Sequence, residues 1–587
     1  MGSPPGSWSP TEAVNSLRPV PAEMSGGRLH GRRLALAVLV ASLAVAIAFP
    51  QQISTILAIP LLAAFSLGRM VAAYTLAVAF SIGVGLAATS SRRAASVLLP
   101  LLDVLQSIPI FGFFPAALVF FVSSFQGHPI GLELAVVFLI FTSMAWNMAF
   151  GVYESLTTIP RDLEAAADSY GLRGWLRFRR VTFPAVMPKL VYNSMLSWSN
   201  GWYFLVASEV FTAFGATHVR PGLGAFIAEA GITGAADRIA LGIGALAAVV
   251  VALDVLVWRP TSLWAERFRL ETTGRQVARV PGPYERLKWL PRFLPIRTAT
   301  RARLRPVAVA WRRISARIEK VYAVHPDVLR RLAVINLAMF LAIFAVVGIA
   351  GLAALIALLA RPLPAEAQEI PIAALHSFLR LLAAYGIALV WTVPIAAWVG
   401  RSQRASRFLT PFLEVFASLP AAALLPAILG ISIVIASAVG LEAQLAALLI
   451  ALFSMQWYLL FNLIAGVRSI PADVEEAARA FGLRGRTYWK RLLFPALVPS
   501  LITGSITAWG AGWNALIVSE YILFGQRIYR VTGVGAMLSE ATFATPPNAS
   551  LILLTVLTMI VVVVGMNKLL WRPLYRRASA RFRLEVE

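Results

Sequence analysis

Long apolar runs broken by short polar stretches set the pattern of this chain. Runs of about 20 apolar residues cross a hydrocarbon core of about 30 Å as helices. These runs are continuous, without the period-two alternation of a membrane β-barrel. They predict spans near 33–50, 67–88, 98–122, 131–152, 190–213 and 238–258, then near 331–360, 378–399, 411–438, 443–466, 500–524 and 549–571. The expected fold class is an all-α polytopic membrane protein with about twelve transmembrane helices.

The two sets of spans repeat one another. Pro160, Gly171, Pro184 and Pro188 lie 311 residues before Pro471, Gly482, Pro495 and Pro499. At the same offset Ser66, Arg69 and Tyr74 match Ser377, Arg380 and Tyr385, and Trp198, Gly201, Trp202, Ser208 and Glu209 match Trp509, Gly512, Trp513, Ser519 and Glu520. Dispersed identities at one spacing indicate a duplicated unit. With an even number of spans, both copies point the same way and form two parallel six-helix repeats. The expected domains are a disordered cytoplasmic N-terminus (1–30), a first six-span half (31–260), a basic linker (261–330), a second half (331–575) and a tail (576–587).

Composition narrows the class. The chain is 59% hydrophobic and 14% charged, where soluble proteins carry about 25% charged residues. Its net charge of +24 falls mainly on the loops at 155–188 and 467–499, the linker and the tail, which the positive-inside rule places in the cytoplasm together with both termini. That distribution makes anionic lipid headgroups the natural counter-charge and leaves nucleic acid unneeded. Cysteine is absent and the five histidines form no spaced cluster, so no metal site is expected.

Each basic loop predicts a short helix after an Ile-Pro pair, with Asp162 or Asp473 in its first turn and Gly171 or Gly482 at its end. Small residues cover these helices: Ala165, Ala166 and Ala167 in one, Ala477, Ala478 and Ala480 in the other. Such a helix can seat closely in a partner's groove.

The loops resemble the EAA loops of permease subunits in bacterial ABC importers. The second copy carries Glu476, Ala477, Ala478, Gly482, Leu492 and Pro495, with Glu475 just before. The first carries Ala166, Gly171, Val181 and Pro184, but has Ala165 at the motif's Glu position and Glu164 one residue earlier. Gly222-Leu223-Gly224 and Gly533-Val534-Gly535 resemble the nitrate, sulfonate and taurine branch. The resemblance implies a type I importer permease with both subunits fused. It implies coupling helices at 162–171 and 473–482 that dock two copies of a cytoplasmic ABC ATPase. It also implies a periplasmic or lipid-anchored binding protein that delivers a small anion of the nitrate, bicarbonate, sulfonate or taurine class. The chain contains no G-x-x-x-x-G-K-[ST], so it is expected not to be an enzyme; ATP and Mg belong to the partner subunits and no cofactor to this chain. The expected location is the bacterial inner membrane.

The fifth span lines the path in related permeases, which makes Trp198, Asn200, Trp202 and Ser208, with Trp509, Trp513, Asn514 and Ser519, candidates for the lining. The competing account of the tryptophans is helix packing. Arg69, Glu209, Arg380 and Glu520 are candidates for a gate or ion pair; the plainer account places these acids at the headgroup interface and lets the arginines snorkel. Asp103 and Glu414 are expected to pair with Arg92, Arg93, Arg404 or Arg407, Trp258 and Trp571 to anchor at the interface, and the prolines of the third span to kink it. Two other classes fit a duplicated membrane protein: an ion-driven secondary transporter, which would be expected to carry membrane-embedded acid relays, and a scaffold that only recruits partners.

Overall fold

The computed structural model describes residues 53–107, 109–172, 174–215, 220–268, 362–544 and 547–582, with isolated positions between 353 and 360. The first expected span of each half, 33–50 and nearly all of 331–360, lies outside the described residues, as do 1–52 and 269–352. The chain divides into two compact units, Met1–Leu57 with Thr273–Ala316, and Ala58–Thr272 with Arg317–Glu587. Everything below concerns the second.

Helices dominate, as the apolar runs dictate. The first half contains α1 (Ile53–Ser90), α2 (Arg92–Ser107), α3 (Ile110–Ser124), α4 (Pro129–Thr157), α5 (Arg161–Ser169), α6 (Phe183–Gly215), α7 (Leu223–Thr233) and α8 (Ala236–Leu253). The second repeats them as α9 (Ile370–Arg401), α10 (Gln403–Ser418), α11 (Ala421–Ala436), α12 (Glu442–Arg468), α13 (Ala472–Ala480), α14 (Phe494–Ser519), α15 (Val534–Phe543) and α16 (Ala549–Met566). Eight described helices are long and apolar enough to cross a membrane.

Several elements differ from the sequence expectation. α1 runs for 38 residues, about 57 Å; Pro60 sits inside the helix and does not end it. The expected third spans, 98–122 and 411–438, are each two helices. One helix ends at Ser107 and the next starts at Ile110, and the second copy breaks at Leu419-Pro420, where Leu419, ahead of a proline, has extended backbone. The first piece, α2, is amphipathic: Ala94, Leu98 and Leu102 are buried at four-residue steps while Arg92 and Arg93 are exposed. The sixth spans pass through π-helical turns, Asp254–Trp258 and Asn567–Trp571, and stay helical to Ala265 and Phe582. Pro260 and Pro573 follow these turns and cannot donate to the carbonyl four residues back, which accounts for the wider turn there. Residues 261–268, expected as linker, therefore extend the sixth span, and the tail begins in a helix.

The fifth span of the second half ends at Ser519, not 524. Tyr521–Phe524 forms strand β1, paired antiparallel with β2 (Arg527–Arg530). The matching residues 210–215 of the first half remain in α6. The hairpin tip reaches across the halves: the Gly525 and Gln526 N–H groups donate to Gly231 O and Ile232 O at 3.0 Å.

The halves interlock through their third spans. α11 packs on α6, α7 and α8, and α3 packs on α14 and α16. Asp103 pairs with Arg572 of the opposite half, a partner the sequence did not suggest. Within each half the fourth and fifth spans meet by a swap. Gly151 of α4 leaves room for the Asn193 side chain of α6, while in the second half Asn462 of α12 lies against Gly504 of α14. The interface holds one Asn and one Gly in both copies, on exchanged helices.

Candidate functional site

The loop helices α5 and α13 each begin after a proline, and their first turns carry Asp162 with Glu164 and Asp473 with Glu475, favourable at the positive end of the helix. Each ends in a left-handed glycine, Gly171 (φ 63°) and Gly482 (φ 68°). The N–H of Leu172 closes onto Ala167 O and that of Leu483 onto Ala478 O, both at 2.9 Å, the Schellman pattern. Burial sorts the small residues. Ala167 and Ala478 face inward; Ala165, Ala166, Glu476 and Ala477 face out. The acid tied into the fold is therefore Glu164 in one loop and Glu475 in the other. Glu164 lies 3.6 Å from Arg177 and Glu475 accepts from Tyr488 Oη at 3.3 Å; Arg177 and Tyr488 themselves match at the 311 offset. Substitution of Ala165 for the motif glutamate thus alters an outward-facing position and spares the inward contact. Just beyond each helix an aromatic stands free: Tyr170 is 83% and Phe481 84% exposed.

Arg69, Glu209, Arg380 and Glu520 are deeply buried, which excludes both the interfacial-acid and the snorkelling accounts. In the first half Arg69 Nη1 donates to Glu209 Oε1 at 2.5 Å and to Pro221 O at 3.0 Å. Its Nε and Nη2 grip Glu133 at 2.6 and 2.8 Å. Glu209 Oε2 accepts the Gly224 N–H at 2.8 Å, and Ser66 Oγ bridges the carboxylate and the Leu223 N–H, each at 3.0 Å. So a buried carboxylate caps the N-terminus of α7 and an arginine neutralises it. This explains the two glycines: a Cβ on Gly222 or Gly224 would collide with the Glu209 carboxyl. The second half repeats the arrangement with Ser377, Arg380, Glu520, Val534 and Gly535. One member changes. Gln444 stands where Glu133 does and takes only Arg380 Nη2, at 2.9 Å, and Arg380 Nε is buried without a partner among the described residues. Gly222→Ala is expected to lower the thermal midpoint of the purified chain by several degrees, while Gly244→Ala, where a Cβ meets open space, leaves it in place.

The fifth spans present two faces. Trp198 and Trp509 pack into their own halves: Trp198 against Tyr74 and Trp258 at 5.5 Å, Trp509 against Phe378, Tyr385 and Trp571 at 5.5 to 6.2 Å. Trp258 and Trp571 are thus core residues, not interface anchors. Trp202, Trp513, Ser208 and Ser519 are also buried. Asn200 is half-buried and donates to Ser143 O at 3.3 Å. One row on α6 has Tyr192, Leu196 and Ser199 exposed and ends in half-buried Tyr203; the same row on α14 has Thr503, Thr507 and Gly510 exposed and ends in half-buried Asn514. The sets match one for one at the 311 offset and step by three and four residues, one helix face. A Cβ on Gly510 meets nothing, whereas one on Gly512 would strike Leu381 and Met455.

Two segments, 77–258 and 392–572, match the model of the binding-protein-dependent transport system inner membrane component. The chain belongs to this family. It carries the family's domain twice, so two permease domains are fused in one polypeptide. Among curated relatives of this permease are the nitrate import permease protein NrtB of Synechocystis sp., 27% identical over 191 residues, and the bicarbonate transport system permease protein CmpB of Synechococcus elongatus, 26% over 165. The taurine transport system permease protein TauC of Escherichia coli is 26% identical over 166 residues. These alignments cover 32%, 28% and 28% of this chain and 62%, 55% and 55% of the relatives, so the permease matches little more than half the length of each.

Sequence reasoning did not single out Glu133 or Gln444 and, of the open face of the fifth spans, picked only Asn514. The first two were accessible, since they occupy equivalent positions at the repeat offset. The open face was accessible only in α14, where Thr503, Thr507 and Gly510 are small or polar.

Proposed function

We propose that this chain is the permease subunit that forms the membrane pathway of an ATP-driven importer for a small anion, with its loop helices α5 and α13 each seated in one of two cytoplasmic ATPase subunits. The observation that carries this reading is the matched pair of short, outward-facing helices in a chain holding two binding-protein-dependent permease domains. The nitrate, bicarbonate and taurine relatives favour an anion. A binding protein delivers it on the side opposite the loops. ATP and Mg act in the ATPase subunits, whose closure moves α5 and α13 and, through the π-helical turns Phe178–Thr182 and Trp489–Leu493, the fifth spans. The basic charge of these loops supports a cytoplasmic side for α5 and α13.

Gentle purification of the tagged chain from its native membrane is expected to bring down an ABC ATPase at two copies per chain, counted by mass spectrometry; a chain that never brings one down, even crosslinked, is not a permease of this kind. Gly482→Asp is expected to abolish uptake while the protein still accumulates in the membrane. An aspartate at φ 68° costs on the order of 1–2 kcal/mol, enough to unwind one exposed turn but not the bundle. Normal nitrate uptake by this variant would count against a coupling role for α13.

A further inference from the structure

The open rows of α6 and α14 end against a common residue, Phe111. At the deep end of one lies Tyr203, at the deep end of the other Asn514, and these two positions match at the repeat offset. Beyond them the described side chains of both helices, Phe204–Val210 and Ala515–Ser519, are buried. Phe111, in the first turn of α3, joins the ends: its N–H donates to Asn514 Oδ1 at 3.3 Å, and its ring lies 5.8 Å from that of Tyr203. The open faces therefore run into the seam between the halves and close at Tyr203 and Asn514. Toward the loop end they open progressively: Tyr192 is 62% and Leu196 49% exposed.

The chemistry at the closed end is incomplete. The Tyr203 hydroxyl is buried and has no hydrogen-bond partner among the described residues. Asn514 uses one amide N–H on Gly510 O at 2.9 Å, which leaves the second free. An unpaired buried hydroxyl costs about 1–3 kcal/mol, which a hydrogen-bonding cargo beside it would recover. The buried arginines are already committed to their carboxylates, so this end offers neutral donors only. Neutral donors suit a site an anion must leave as readily as it enters.

On the importer reading the path runs along these two faces of the fifth spans, and we propose that Tyr203 and Asn514 form its constriction, where the Tyr203 hydroxyl and the free Asn514 N–H hydrogen-bond a partly dehydrated oxyanion. This rests on the importer reading and assigns the residues the cargo meets. The two donors come from unlike residues at equivalent places, so the fused chain presents a lopsided constriction.

The absence of cysteine makes the test direct. Single cysteines at Leu196, Thr507, Tyr203 and Asn514, with Ala508 as a packed control, are treated in inside-out vesicles of the assembled transporter with an anionic, membrane-impermeant methanethiosulfonate. L196C and T507C are expected to react, Y203C and N514C to react more slowly and to be protected by nitrate, and A508C to stay silent. Lipid-facing positions would not react with a charged reagent, so silence at L196C and T507C overturns the path. Tyr203→Phe, which removes only the hydroxyl, is expected to lower nitrate uptake about tenfold, the loss of one hydrogen bond at a dehydrated site, with binding-protein-stimulated ATP hydrolysis retained. Unchanged uptake overturns the constriction. Gly510→Trp, whose side chain grows into open space, is expected to block uptake, whereas Gly244→Trp, equally uncrowded on the sixth span, is not. Vesicles that label as expected but carry none of nitrate, bicarbonate and taurine keep the path and refute the anion reading instead.

Discussion

Glu520→Ala is expected to destabilise the purified chain by about 3–5 kcal/mol, the cost of leaving one member of a buried ion pair uncompensated, and Glu209→Ala by clearly less. The difference comes from the second carboxylate. When Glu209 is removed, Arg69 keeps the bidentate grip of Glu133, a charge-assisted pair that still neutralises it. When Glu520 is removed, Arg380 keeps the neutral Gln444 and the Thr532 carbonyl, and its side chain is 2% exposed. Both variants also strip the acceptor from an N-terminal N–H of a short helix, Gly224 or Gly535, so that shared loss cancels in the comparison. Thermal unfolding in detergent gives the ranking. Gln444→Glu in the E520A background supplies the missing charge and is expected to recover much of the loss, while Arg380→Met with Glu520→Leu removes both charges and is expected to be milder than E520A alone. Equal losses for the two single variants would mean that Glu133 does not neutralise Arg69.

Tyr170→Asp with Phe481→Asp is expected to leave thermal stability within about 0.5 kcal/mol of the parent and to abolish recovery of the ATPase. Both aromatics are more than four-fifths exposed and follow their helices at matched places, so within the described chain they support nothing. Burying each against a partner is worth about 1.5–3 kcal/mol, roughly 10- to 100-fold in affinity, and a buried aspartate reverses the sign. Single variants are expected to weaken association and the pair to eliminate it, read as ATPase recovered per chain on an affinity column. Full recovery with both aspartates in place would move the contact away from these residues.

Much of this architecture was legible because duplication prints every constraint twice. The 311 offset pairs Ser66 with Ser377, Arg69 with Arg380 and Glu209 with Glu520, the members of the buried cluster. Their burial was not legible: in a lone sequence an arginine near a span's end serves equally for snorkelling. The tryptophans misled for a related reason. An i, i+4 pair marks a helix face without saying which way it turns, and Trp is as suited to a tight core as to a path. Glycine held the answer, since Gly201 and Gly512 share the tryptophans' face and lie against Met144 and Met455. The hairpin escaped because Tyr521-Ile522-Leu523-Phe524 continues an apolar run, and only the turn at Gly525-Gln526, with Arg527 and Arg530 following, departs from a span.

The strand pair carries a consequence for how such a protein is inherited. It grows from the second half and closes on the end of α7 in the first, while residues 210–215, which match its first strand and turn, stay helical. Tongue and socket have therefore been divided between the two copies. Were the halves encoded apart, like could assemble with like, giving two tongues together or none. A single reading frame delivers one of each in every molecule, and having joined them, it frees each copy to drift toward its own task.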